Sequence, residues 1–380
     1  TQSVRDPYVN MLRATSQAFA AVVGGVRGLH VACFDEAIRP SNEQSRRTAR
    51  NIQLMLRSEF DLLQPVDPSG GSWYVETLTA QLAEKAWAEM QKIEGEGGME
   101  AALLAGGIQH RIQGVLEERF KKLAVRSDRA VGTNMYANTT ELPLEFESDN
   151  ESLRRKRLED IKHFVADVDE IHRDAMLAAL PEAVGGKPER FVGTVAEAFL
   201  AGATIQEVRG ALLDGATCGP CVAPVVKRRW TEQFEALRGR SDKYKASAGR
   251  GIRVFLASMG PVSQHKARAD FTAGFMEAGN FEVLGNNGFA SVDEAVAAAS
   301  ESGADVAVIC STDETYPELV PPLARGIKSA CPKTTVLLAG APVPEMESVY
   351  REAGVDDFIH VRADCLRVLS DIQKKRGAYR

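Results

Sequence analysis

The chain has 380 residues and a net charge of −6, with 44% hydrophobic and 26% charged residues. That length accommodates two or three domains, each with its own core, and the acidic balance excludes the basic footprint of a nucleic-acid binder. No apolar run approaches the roughly 20 residues that span a bilayer, and the opening TQSVRDPYVNML is not a signal peptide, so the expectation is no membrane and a cytoplasmic address.

Thr1 in place of an initiator Met suits a piece of a longer polypeptide. The six cysteines, Cys33, Cys218, Cys221, Cys310, Cys331 and Cys365, are scattered rather than framed, which suits reduced thiols.

In chain order, Tyr8, Met11, Leu12, Ala18, Phe19 and Val22 fall at helical spacing over residues 8–23, closed by Gly24 and Gly25. A short apolar run at Gly28 to Cys33 reads as a strand, and a helix follows from Ser41 to Phe60. A further short strand is predicted before the loop that Pro65, Pro68, Gly70 and Gly71 impose. Helix and strand alternating at this spacing is the currency of a parallel barrel or a doubly wound sheet. Only about two of the eight barrel units are represented.

Residues 76–122 are helical in pattern, broken at Gly95 to Gly98 and at Gly106–Gly107, and residues 123–150 read as a strand-and-loop connection. A charged helix is predicted from Arg154 to Leu180, with Leu158, Ile161, Phe164, Val165 and Val168 as one stripe. Its Arg154 to Arg157 run reads as a solvated face. Two more helices, Thr194 to Ala203 and Ile205 to Leu213, precede TCGPC, whose flanks also read as helical. Cys218 and Cys221 form a lone CxxC without a second pair or a nearby His, a weak zinc or redox signal.

The last domain alternates cleanly. Strands are predicted at 252–257, 281–284, 305–310, 334–339 and 356–359, with helices at 265–278, 291–302, 317–330, 344–353 and 364–375. Five βα units predict a flavodoxin-like open parallel sheet. The first strand-to-helix loop carries Gly260, Pro261 and a lone His265 at the carboxyl end of its strand, where such sheets bind ligands.

The block RRTARNIQLMLRSEFDLLQPVDPSGGSWY (Arg46 to Tyr74) closely resembles a signature of the adenosylcobalamin-dependent acyl-CoA mutases, of which methylmalonyl-CoA mutase is the best known. Ala49, Arg50, Asn51, Gln53, Glu59, Asp67, Pro68 and Gly70 to Ser72 carry it. RDPYVNMLRAT, FDEAI, IEGEGGMEAAL and VGTNMY extend it over essentially the whole chain. The resemblance implies the last units of a (β/α)8 barrel (1–80), a helical linker region (81–245) and a flavodoxin-like module of the cobalamin-binding type (250–380).

In catalytic members of that family the cobalamin loop reads Asp-x-His-x-x-Gly; the His coordinates cobalt, the Asp orients it, and the Gly lets the nucleotide tail pass. The matched positions here are Ser263, His265 and Arg268. The family's Ser-x-Leu appears as Ser311-Thr312-Asp313, and its Gly-Gly as Gly340-Ala341. His265 has thus lost its carboxylate partner and meets a large cation where the tail would run. As a cobalt ligand it serves only if cobalamin binds; a helix-start or interface histidine is the favoured reading. The barrel-strand motif Gln-Ser-Leu-His-Thr-Asn appears as Arg27 to Ala32, with Val31 and Ala32 replacing polar groups and His30 favoured as structural.

These departures resemble the small subunit of the heterodimeric bacterial methylmalonyl-CoA mutases, which keeps the fold without the chemistry. The expectations are no catalytic residue, no cofactor bound by this chain, adenosylcobalamin in a homologous large subunit, and structural roles for the retained signature, with Asp67-Pro68 and Gly70-Gly71 shaping a loop and Arg50 paired to an acid. Two alternatives stay open: a catalytic cobalamin-binding mutase with His265 as lower ligand, and a free-standing module with another ligand in the crevice.

Overall fold

A computed structural model describes residues 2–64, 66–144, 150–213 and 221–379. The chain divides into two compact units, residues 1–144 with 223–380, and residues 145–222.

The first unit begins with α1 (Val9–Val23) and α2 (Glu43–Ser58). Ala14 and Ala18 of α1 pack on Ala49, Ile52 and Leu56 of α2, with Val31 in the same core. Asn42 caps α2 by accepting the Ser45 N–H. The strands predicted at 28–33 and before Pro65 are not formed; both runs are irregular. A strand exists through its ladder, and among the described residues none lies beside either run.

The helices α3 (Trp73–Gly95), α4 (Gly98–Leu104) and α5 (Gly107–Ala124) break at the predicted glycines. Gly97 and Gly106 take left-handed conformations between them.

The second unit holds α6 (Asn150–Ala166), α7 (Glu170–Val184), α8 (Pro188–Leu200) and α9 (Ile205–Leu212). The single helix predicted at 154–180 is two, because Asp169 accepts the N–H groups of Ile171 and His172 and starts a new one. Its predicted stripe does not form a core: Leu158, Ile161, Phe164 and Val165 are exposed. Leu180, Ala198, Ala203 and Val208 form the core instead. The helix predicted from Thr194 starts earlier, at Pro188. Residues 221–229 carry no helix, which corrects the helical flank predicted on that side of the CxxC pair.

Back in the first unit, α10 (Glu232–Ala248) leads into β1 (Arg253–Ser258), α11 (Val262–Glu277), β2 (Glu282–Leu284), α12 (Val292–Ser302), β3 (Val306–Cys310), α13 (Tyr316–Ala330), β4 (Thr335–Ala339), α14 (Pro344–Glu352), β5 (Asp357–Ile359) and α15 (Cys365–Lys375). The five strands form one parallel sheet in the order β2-β1-β3-β4-β5, as the alternation predicts. Side-chain alternation splits the core. Val254, Leu256, Val308 and Leu337 face Phe275, Met276, Leu369 and Ile372 of α11 and α15. Phe255, Ala257, Ala307, Ile309 and Leu338 face Ala295, Val320, Leu323 and Ile327 of α12 and α13. Each fully buried Val, Leu or Ile contributes about 1.5–3 kcal/mol.

Candidate functional site

The strand order reverses between β1 and β3, which places the ligand crevice of such a sheet at their carboxyl ends. His265 sits there in the first turn of α11, 4% exposed. Its Nδ1 is 3.0 Å from the Gly260 carbonyl oxygen. A carbonyl can only accept, so Nδ1 carries the proton. The Gly260 carbonyl is a partner that the sequence pattern did not reveal. Gly260 adopts φ +80 to present it. Gly288, at φ +93, lies against the same edge of the ring, where a Cβ would stand 2.5 Å from His265 Cε1, 3.1 Å from its Nδ1 and 3.2 Å from the Gly260 carbonyl oxygen. The Nδ1–Cε1 edge of the imidazole thus meets both loops.

Ser263 is exposed on the same turn. Arg268, one turn further, sends Nη2 to both carboxylate oxygens of Asp313, at 2.9 and 3.0 Å. These two side chains, expected at the family's Gly and Leu positions, are partners across the switch point.

Ser311 is buried and its hydroxyl is used internally, donating to the Met259 carbonyl at 3.2 Å and accepting from Thr315 Oγ1 at 2.9 Å. Tyr316, which the motifs did not single out, closes the floor. Its phenol oxygen accepts the Ser311 N–H at 3.1 Å and lies 2.9 and 2.7 Å from the carbonyls of Ser311 and Ala339. A Cβ on Gly340 would meet Tyr316 Cε2 at 3.0 Å and Asp313 Oδ1 at 3.4 Å. Burial pushes the Tyr316 hydroxyl well above its ordinary value. The one sequence signal was a large phenol among small residues, five positions after Ser311.

The thiols offer no nucleophile here. Burial pushes Cys310 and Cys365 up to about 12, so both are neutral thiols. Cys221 is exposed, and Cys218 lies outside the described residues. Among the described residues no group of three or more His, Cys, Asp or Glu could hold a metal ion, and no helix is long and apolar enough to cross a membrane.

At the other end of the first unit, Arg27, Arg50, Gln53 and Asp67 border an open pocket of about 540 Å³. His30 is exposed and outside it, and Val31 faces the α1–α2 core instead. The expected acid partner of Arg50 is not found among the described residues; its side chain projects from the exposed face of α2. Asp67 and Gly71 take positive φ in the loop, and Ser72 caps α3.

Other signature residues act as pins. Asn10 donates to the carbonyls of Ser3 and Phe34, both at 2.9 Å. Asn134 of VGTNMY accepts the Ala130 N–H at 2.7 Å and donates to the carbonyls of Leu123 and Asp128 at 3.1 and 2.9 Å.

The family model for methylmalonyl-CoA mutase matches residues 1–217. The chain is similar to the methylmalonyl-CoA mutase small subunit of Streptomyces virginiae, at 32% identity over 98% of this chain and 48% of that protein. It also resembles the small subunit of Porphyromonas gingivalis, at 27% over 99% and 50%, and the methylmalonyl-CoA mutase of Escherichia coli, at 28% over 92% and 51%. The chain spans about half the length of the curated relatives it matches. A solved cobalamin-binding protein from Desulfitobacterium hafniense covers 53% of this chain and 98% of its own at 19% identity and a TM-score of 0.28, too distant to bear on the fold. On the family match over more than half its length, the chain belongs to the methylmalonyl-CoA mutase family.

Proposed function

We propose that the chain is the structural, non-catalytic small subunit of a heterodimeric adenosylcobalamin-dependent methylmalonyl-CoA mutase, with the cofactor in a homologous large subunit. On this reading the complex interconverts methylmalonyl-CoA and succinyl-CoA in cytoplasmic propionate metabolism. Residues 1–80 are then the end of a (β/α)8 barrel, 81–245 a linker region and 250–380 a closed module of the cobalamin-binding type.

The observation that carries the reading is the Arg268–Asp313 ion pair over Tyr316 and Gly340. A bulky nucleotide tail needs open space at these positions, and the residues present do not fit it. His265 is buried against Gly288 rather than presented. The catalytic alternative draws on one observation: the Gly260 carbonyl fixes the tautomer that leaves Nε2 free to coordinate.

Titration with cobalamin followed by absorbance tests the choice. The expected result is an unchanged cobalt spectrum. A stoichiometric shift that disappears in His265→Ala overturns the proposal. Co-purification tests the partner: recovery bound to a large homologous subunit supports it, and recovery as a lone monomer counts against it.

A further inference from the structure

Arg126, at φ +60 just after α5, has no Asp or Glu acting on its charge among the described residues. Its guanidinium lies 5.7 and 5.5 Å from the ring centroids of Phe271 and Phe275. Nε and Nη2 donate to the Met135 sulfur, and the Cys365 thiol is the other side-chain neighbour, both weak acceptors; Nη1 is sealed from solvent without a hydrogen-bond partner among the described residues. The neighbouring Cys365 thiol is neutral because burial raises it to about 12. Burial likewise lowers the Arg126 pKa. Stacking over two rings offsets part of the lost hydration, but a half-buried cation still lacks a counter-charge.

Beside it is a cavity of about 150 Å³ at the carboxyl end of β5. Arg126, Arg129, Met135, Phe271, Phe275 and His360 are among its lining residues, and no Asp or Glu is. His360 Nδ1 accepts the Arg362 N–H at 3.2 Å. Burial and the adjacent Arg362 hold its pKa below the ordinary value, so the neutral ring keeps its proton on Nε2 as a donor. The volume is ample for a small ion. Two guanidinium groups and an imidazole N–H around a space lined by no acid are the chemistry that recognises an oxyanion.

We propose that this cavity binds a small oxyanion, the phosphoryl or carboxylate group of a metabolite or the free ion. Arg126 supplies the half-buried charge, Arg129 the outer one and His360 a neutral donor. The ion would complete the hydrogen bonding of Arg126 and tie the 125–135 segment to the β5–α15 loop.

Calorimetric titration of the full chain with inorganic phosphate at low ionic strength tests this, with acetate as a second probe and potassium chloride at matched ionic strength as control. The expected result is saturable one-site binding of phosphate, acetate or both, weakened at least about tenfold in Arg126→Met. That replacement keeps an apolar stem against Phe271 and Phe275. Arg129→Gln, at the exposed rim, is expected to weaken binding several-fold with the fold intact, and it carries the test if Arg126→Met does not fold. No saturable heat with either probe overturns the proposal, as does unchanged affinity in Arg129→Gln and His360→Gln together.

Discussion

Arg268 Nη2 donates to both oxygens of Asp313, at 2.9 and 3.0 Å, joining the first helix of the sheet domain to the loop after its third strand. The cation and the carboxylate are complementary across the crevice. The pair is 31% and 68% exposed in its side chains, so water screens it and its stabilising effect is small.

A double-mutant cycle on Arg268→Gly and Asp313→Leu is therefore expected to give a coupling of about 0.2–1 kcal/mol, shrinking in high salt. Urea denaturation reads it. A coupling several times larger would show that the pair holds the domain together rather than merely filling the crevice.

Tyr316→Phe removes a hydroxyl with three backbone partners and leaves Ser311 and Ala339 groups unsatisfied in a buried place. The expected loss is about 1–3 kcal/mol of stability, seen as a lower urea midpoint at constant slope. An unchanged midpoint would mean that water has taken the vacated position.

Gly288→Ala places a Cβ 2.5 Å from His265 at φ +93. The strained backbone and the clash are expected to cost about 1–3 kcal/mol each. In Gly288→Ala with His265→Ala the clash disappears and the strain stays, so the two replacements cost less together than their sum. Strict additivity would refute the close packing of ring and loop.

Alkaline pH is expected to destabilise the chain. Burial raises the Cys310 and Cys365 thiols from an ordinary 9.0 to about 12 and raises the Tyr316 hydroxyl too. The unfolded chain gives up these protons first, so stability is fully present below about pH 9 and falls as pH rises towards 12. The slope approaches about 1.4 kcal/mol per pH unit for each group. Cys310→Ala is expected to flatten the decline of the urea midpoint, and a midpoint insensitive to pH over this range would contradict the burial of these groups.

Signature residues should separate by what they touch. Asn134→Ala leaves Ala130, Leu123 and Asp128 backbone groups without their partner and is expected to cost about 1–3 kcal/mol. Arg50→Ala, on an exposed face, is expected to stay within about 0.5 kcal/mol. Thermal melts of both variants check the contrast.

All five strands and the helices between them were legible because hydrophobic period and turn residues are local, and every strand finds its neighbour within the chain. The runs at 28–33 and before Pro65 were misread because an apolar run becomes a strand only through a ladder partner, which periodicity does not report. The exposed stripe on α6 shows the same limit for helices. Phe164 and its neighbours repeat at helical spacing with no described element covering them.

By itself the sequence determined the family and the doubly wound sheet, and it pointed to Ser263, His265, Arg268 and Asp313 as the crevice residues, since each is carried by residue identity at fixed spacing. Only the tertiary structure decided what those side chains touch. It turned Arg268 toward Asp313, set the Tyr316 phenol near them, and gave His265 the Gly260 carbonyl as its partner. Those contacts join groups between five and 45 residues apart, through distances that depend on how β1, β3 and β4 lie side by side. Sequence spacing does not encode them.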